Sequence, residues 1–382
     1  MIRTIILKFA SACNLACTYC YEYSAGDETW RTRPRFPTVD LLDCLGRRVR
    51  DYAASFGLEE MNVVAHGGEP LLVGARRLEQ FFSAVESAAK PTRIRWSIQT
   101  NAVLITKEIC DVLARHCVIV GVSLDGGEKQ NARRLDHRGR PTWRSALDGI
   151  NMLRNHSGCR WEGILAVVDL DQSPEETLEA ILELAPPQLD LLQPFTTHDS
   201  AGVERPALAQ RFGDWMTRAL KHWMEEPSWA ATRIRVFEDA LQASLTRKPK
   251  TDWFGPRRVS YLVVEADGSY DLLDQLKVIG ADSLNYRSLG GSILNLGVHE
   301  AESAALKLLE AAGASATPSA CHGCRWGDVC AGGHLTARHS FLRGFDNPSV
   351  YCEGLQQLLD EASAIMHART SRSESSACSE AV

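Results

Sequence analysis

One feature narrows what this chain can fold into more than any other: from residue 4 to about residue 225, short runs rich in β-branched and aromatic residues alternate with stretches carrying apolar residues at helical spacing. That alternation is the pattern of repeated βα units around a parallel sheet. The strand candidates are TIILKFA, EEMNVVAH, RIRWSIQT, VIVGVSL, WEGILAVV and QLDLLQP. The intervening helices carry start signals. Thr38 and Thr106 stand at N-cap positions, and Ser173-Pro174-Glu175-Glu176 combines an N-cap, a proline at the first helical position and a capping-box glutamate. Six such strands form either an open doubly wound sheet or a partial barrel, and periodicity does not separate the two. Both architectures assemble their sites at the C-terminal ends of the strands. Three polar stretches fall there: His66-Gly67-Gly68-Glu69-Pro70, Gln99-Thr100-Asn101 and Ser123-Leu124-Asp125-Gly126.

The pattern changes after a helix near 206–224. Residues 226–254 read as a linking helical segment. RVSYLVVEADGSYDLLDQLKVIG then reads as a β-hairpin turning at Asp267-Gly268, and HEAESAALKLLEAAG as a helix. The expected organisation is a large domain over 1–225, the linker, a smaller α+β domain over 255–368 and a disordered tail over 369–382, whose small polar residues cannot build a core. The net charge of −6 carries no basic excess, which argues against nucleic acid as a partner. Residues 1–10 are apolar but too short to span a membrane, so no membrane association and a cytoplasmic location are expected.

Twelve cysteines in a reducing compartment point to metal ligation or buried packing rather than disulfides. Cys44, Cys110, Cys117 and Cys159 lie in apolar periodic segments and read as packed thiols; Cys378 lies in the tail. The remaining seven form two groups. Cys13, Cys17 and Cys20 follow the first strand as CNLACTYC, spaced C-x3-C-x2-C. An iron–sulfur cube usually takes four thiolates, so three leave one iron open to a substrate or cofactor; zinc with a further ligand is the alternative.

CNLACTYC, with Tyr19 at the aromatic position, resembles the signature of the radical S-adenosylmethionine (SAM) enzymes. In that family the open iron chelates S-adenosylmethionine, and one-electron reduction cleaves it to methionine and a 5′-deoxyadenosyl radical. The resemblance implies a partial (β/α)6 barrel rather than an open sheet, and it covers about residues 3–225. It implies 4Fe–4S ligation by Cys13, Cys17 and Cys20. It also implies cofactor contacts from Tyr19, from Gly67, Gly68 and Glu69, which match the family's GGE motif, and from Asn101 and Ser123. Asp125 is a candidate for either cofactor binding or catalysis.

Cys321, Cys324, Cys330 and Cys352 are spaced C-x2-C-x5-C-x21-C, a complete set of four thiolates. This group resembles the SPASM auxiliary-cluster domain of radical enzymes that modify peptides; a structural zinc ribbon is the alternative. The full pattern has seven cysteines and two auxiliary clusters. Here His334 stands where a further cysteine is expected, and none lies between 255 and 285. The expectation is therefore one auxiliary cluster, two 4Fe–4S clusters in all, and a surface or loop position for His334.

Within DGSYDLLDQLK, Asp271, Asp274 and Lys277 interrupt an apolar run, and Asp274 or Asp271 is the candidate proton acceptor; a solvent-facing strand side is the alternative. The stretch CAGGHLTARHSFLRGFDNPSVYC is similar to the cyclophane-forming peptide maturases. That likeness implies a ribosomally synthesised precursor peptide as substrate, an intramolecular cross-link as product, uptake of the released electron by the auxiliary cluster, and a donor such as flavodoxin or ferredoxin. No peptide-recognition domain precedes residue 3, so the precursor's leader is expected to use the barrel, the small domain or a separate protein. Epimerisation and formylglycine-type oxidation are rival activities, and a non-catalytic iron–sulfur redox protein is a rival of another class.

Overall fold

The computed structural model describes residues 1–254 and 259–379. These residues contain ten strands: β1 Thr4–Ala10, β2 Glu60–Gly67, β3 Arg93–Thr100, β4 Ile119–Ser123, β5 Arg160–Val167, β6 Gln188–Leu192, β7 Arg233–Ile234, β8 Tyr261–Val264, β9 Ser269–Asp271 and β10 Ser288–Ser292. All six expected strands form, with helices between them. Thr38 caps Val39–Phe56 through Leu41 N, Thr106 caps Lys107–Arg115 through Ile109 N, and Ser173 caps Pro174–Leu182 through Glu176 N. The Ser173 hydroxyl donates to the Glu175 carboxylate rather than completing the expected box with Glu176.

Two compact units share the chain, and their limits differ from the expected boundaries. The first joins Met1–Ala166 to Arg258–Ala311; the second joins Val167–Arg257 to Ala312–Val382. The expected boundary at 255 falls outside the described residues. The first unit's sheet runs β10-β9-β8-β1-β2-β3-β4-β5. Strands β1 to β5 pair in parallel, as expected for βα units. The hairpin β8–β9 turns at Gly268 as predicted, yet it belongs to this sheet, because β8 lies parallel against β1 with Ile5 opposite Leu262. Local sequence announces a hairpin; it does not announce which distant edge the hairpin joins.

One face of this sheet packs on helices. Phe9 of β1 meets Phe81 at 5.2 Å between ring centroids, and Phe82 meets Trp96 at 4.6 Å. Residues of the other face, Lys8 of β1 and His66 of β2, are register partners on adjacent strands. In the second unit β6 pairs in parallel with β7, so the linker contributes a strand as well as the helix Arg235–Thr246. The helix Cys352–Ser379 runs through most of the segment expected to be disordered, which contains no proline or glycine to stop it. Among the described residues no helix is long and apolar enough to cross a membrane.

Candidate active site

The loop carrying Cys13, Cys17 and Cys20 leaves the end of β1 and is tied by its backbone to the segment after β4: Ala16 N donates to Leu135 O at 2.7 Å and Thr18 N to Arg133 O at 3.1 Å. Leu15 N donates to Cys13 Sγ at 3.4 Å, and Asn101, from the end of β3, donates to Asn14 Oδ1 at 2.8 Å. A cavity of 410 Å³ opens over the three cysteines, walled by Tyr23, Trp30 and His137. Burial, reinforced by Glu69, pushes the Cys13 thiol up to about 12; burial pushes Cys20 up to about 11. These thiols therefore ionise only with a cationic centre to hold.

Gly67 and Gly68 are required by close approach. A Cβ on Gly67, at φ +140°, would stand 2.3 Å from Ala10 O, and one on Gly68 would stand 2.3 Å from Ala12 O. Glu69 follows, 1% exposed, and accepts from Leu71 N at 3.0 Å, Thr100 Oγ1 at 2.7 Å and Asn101 N at 2.8 Å. Burial pushes its carboxyl up to about 6 against these three bonds. A carboxylate has about four acceptor positions, so one remains for a cofactor ammonium. Ser123 accepts from Gln99 Nε2 at 2.8 Å. Tyr19 donates to Asp125 and accepts from Arg134 Nη1 at 2.8 Å, with Arg133 stacked over its ring. Asp125 thus holds the aromatic residue of the motif. Arg134 was not legible: it sits in NARRLDH, a stretch with no motif.

A second cluster of the same unit gathers where β1, β2 and the end of the hairpin meet. Asp274, Asp271 and Lys277 are buried, which rules out the solvent-facing alternative. Asp271 pairs with Arg287, which also bonds Asp27 at 2.6 Å, and Arg33 lies 3.6 Å away. Asp274 Oδ2 accepts from Lys8 and, at 2.8 Å, from Tyr21. Its Oδ1 stands 2.9 Å from Lys277 Nζ but outside hydrogen-bonding geometry. Lys277 donates to Glu22 at 2.6 Å and to Glu265 at 2.9 Å. Burial pushes the Asp274 carboxyl up, but Lys277 and Lys8 outweigh it and hold it well below the usual carboxylate range. Lys8, Glu22 and Glu265 were missed in the sequence, since single charges in or beside other motifs and apolar runs carry no motif of their own, and His66 was noticed only as part of a strand-end stretch.

The second cysteine group lies wholly in the other unit. Cys324 N donates to Cys321 O at 3.2 Å, Cys330 N to Trp326 O at 2.7 Å, and Ser349 N to Gly332 O at 2.9 Å, which brings the start of the Cys352 helix to the Cys321–Cys330 loop. Arg338, 1% exposed, donates to Ala316 O and Phe345 O at 2.8 Å and to Ala314 O at 3.3 Å, linking the strands of chain that lead to Cys321 and Cys352. Asn347 donates to Arg338 O at 2.9 Å. Gln356 donates to Cys352 Sγ at 3.3 Å. His334 is buried rather than on the surface: its ring lies 5.3 Å from that of Phe195, and its Nδ1 is 2.8 Å from Thr336 Oγ1. Its neighbours Leu335, Thr336 and Ala337 are buried with it and begin the short 3-10 helix Leu335–Arg338, so His334 stands at the head of an interior helical turn.

Among the described residues no three cysteine sulfurs lie within 4.8 Å of one another, wider than the about 3.8 Å that one tetrahedral zinc with Zn–S of about 2.3 Å would set.

Comparison with known proteins decides the family. The sequence matches the Radical SAM superfamily over residues 7–185. Serine-type anaerobic sulfatase-maturating enzymes of Klebsiella aerogenes and Klebsiella pneumoniae are each 31% identical over 282 residues, 71% of this chain and 66% and 68% of theirs. The chain belongs to the radical SAM superfamily. It is accordingly a radical SAM enzyme with S-adenosylmethionine and iron–sulfur cofactors, and it spans about two thirds of the length of those Klebsiella relatives. Its fold follows native anSMEcpe with bound AdoMet at a TM-score of 0.82 and 21% identity, covering 96% of this chain and 98% of that one. Streptococcus suis SuiB bound to precursor peptide SuiA superposes with a TM-score of 0.61 and 16% identity, over 92% of this chain and 76% of that one. The radical SAM core and C-terminal auxiliary domain expected from the sequence are thus present.

Proposed function

We propose that this enzyme modifies a ribosomally made precursor peptide, abstracting a hydrogen from one residue and closing an intramolecular cross-link of the cyclophane type. The observation that carries the reading is Asp274, a buried carboxylate kept ionised by Lys8 at Oδ2 and by Lys277, whose ammonium stands 2.9 Å from Oδ1, in the same unit as the three-cysteine motif. When bound, the cofactors supply hydrogen abstraction and uptake of one electron. The chain's own residues do the rest. Cys13, Cys17, Cys20 and Glu69 hold the S-adenosylmethionine centre, Tyr19, Asn101 and Ser123 shape its surroundings, Cys321, Cys324, Cys330 and Cys352 hold one auxiliary cluster, and Asp274 accepts the departing proton. Asp271, paired with Arg287, and Asp125, bonded to Tyr19, act as supports. A donor of the flavodoxin or ferredoxin class delivers the starting electron.

A second reading is favoured by the sulfatase-maturating relatives: formylglycine-type oxidation of a peptide serine or cysteine. Loss of two hydrogens alone does not separate a cross-link from an oxidised serine. Coexpression with a candidate precursor peptide, followed by tandem mass spectrometry and hydrazide labelling, does. The expected product has lost two hydrogens, resists fragmentation between the joined residues and takes no hydrazide. A hydrazide-reactive product would replace the cross-link with the aldehyde, and an unchanged mass with altered stereochemistry would point to epimerisation.

A further inference from the structure

Lys8 is almost fully buried in β1, and its three ammonium hydrogens meet three acceptors: Glu22 Oε2 at 3.1 Å, Asp274 Oδ2, and His66 Nδ1 at 3.4 Å. An ammonium is only a donor, so the His66 nitrogen facing it is the acceptor and the ring's proton sits on Nε2. His66 lies beside Lys8 in register, one residue before Gly67, and is less buried than Lys8 or Asp274. Burial first, and Lys8 next, push its imidazolium form down to about 3, so the ring stays neutral. On the other side of Asp274, Lys277 is held by Glu22 and Glu265. The charged and titratable groups facing Asp274 include Lys8 from β1, His66 from β2, Tyr21, Glu22 and Tyr23 from the loop after the cysteines, Glu265 from the hairpin, and Lys277 from its own segment.

We infer that Lys8 is the positioning residue of the proton-accepting centre: it turns Asp274 so that Oδ1 receives the substrate's proton, and it fixes His66 as a neutral Nε2–H donor. The inference rests on the reading of Asp274 as the proton acceptor. In the step, the substrate's bond to hydrogen breaks heterolytically, its electron pair stays with the substrate, and the proton forms an O–H bond on Oδ1. Oδ2 remains bonded to Lys8 and Tyr21 throughout. Lys8 touches no reacting atom; it acts through Asp274 and His66.

The test uses the reconstituted enzyme and its precursor peptide, and reads product formed per S-adenosylmethionine consumed across pH. Asp274→Asn is expected to lose product; full product from it would overturn the proton-acceptor reading itself. Lys8→Met, with wild-type circular dichroism and iron content, is expected to lower the coupling ratio roughly tenfold and to raise the low-pH limb of product formation by about one pH unit. Lys8→Arg, which keeps the charge, is expected to restore both. If Asp274→Asn is inactive while Lys8→Met keeps the wild-type ratio, or loses it with an unmoved limb, the Lys8 inference falls alone. Should Lys8→Met not fold, Lys8→Gln, with wild-type circular dichroism and iron content, takes its place, and a wild-type coupling ratio from that variant would overturn the inference.

Discussion

The two cysteine groups stand beside opposite buried charges. Next to Cys13 lies Glu69, an anion that raises the thiol further; next to Cys321 lies Arg338, a cation that opposes the rise that burial causes. Arg134 does face Cys17, but it is bonded to Tyr19 and lies 3.9 Å from Asp125. An anion beside the Cys13 thiolate is unfavourable until something cationic arrives, which suits a site that is to admit an ammonium. A cation beside the Cys321 thiolate offsets part of a complete anionic set, which suits a closed cluster. The same ligand atoms are thus set to opposite tasks by one residue each, and that contrast can be broken by experiment.

The largest effect should come from the ligands themselves. A Cys13→Ala, Cys17→Ala, Cys20→Ala variant is expected to abolish S-adenosylmethionine cleavage while keeping the second cluster, so iron content falls from about eight to about four per chain. Iron and sulfide analysis with a cleavage assay checks it. A wild-type content near twelve would mean that residues other than the seven cysteines hold a third cluster.

The next effect tests the cation. Arg338→Met leaves the carbonyls of Ala314, Ala316 and Phe345 without their buried donor, a loss of about 3 kcal/mol. The expected outcome is loss of the second cluster's iron and a lower thermal midpoint, with the first cluster and its cleavage reaction retained. Equal loss from both groups would show that Arg338 does not serve the second group in particular.

How far each region was readable from sequence follows the same division. Cys13, Cys17, Cys20, Gly67, Gly68 and Glu69 lie within a few residues of strand ends, where local spacing and strand order place them. The second group's ligands were readable as a spacing, but its scaffold was not: Arg338 and Asn347 bond carbonyls up to 24 residues away, and nothing local marks such bonds. The hairpin was legible as a hairpin, and its attachment to β1 was not, because strand pairing across more than 250 residues depends on the assembled sheet. The cluster around Asp274 failed for the same reason. Asp274 drew notice as a charge in an apolar run, whereas Lys8, 266 residues away, looked like one polar residue in a strand.

The smallest effect tests the anion through pH. The folded Glu69 carboxyl stands at about 6 against an ordinary 4.5, so between those values the folded chain holds a proton that the unfolded chain has released. Stability must therefore fall as pH rises through the window, by about 2 kcal/mol for this group alone. On the proposed role of Glu69, S-adenosylmethionine reverses the sign, because an ammonium pairs with the ionised carboxylate and not with its protonated form. Its affinity is expected to weaken as pH drops below about 6, approaching tenfold per pH unit. Calorimetric titration of the reconstituted enzyme across that range, repeated with Glu69→Gln, reads both. The variant should bind more weakly with little pH dependence, since it keeps an amide oxygen for Thr100 and the backbone but has no charge to lose. A pH-dependent slope that survives in Glu69→Gln would assign the titration elsewhere and remove the anion from the contrast between the two groups.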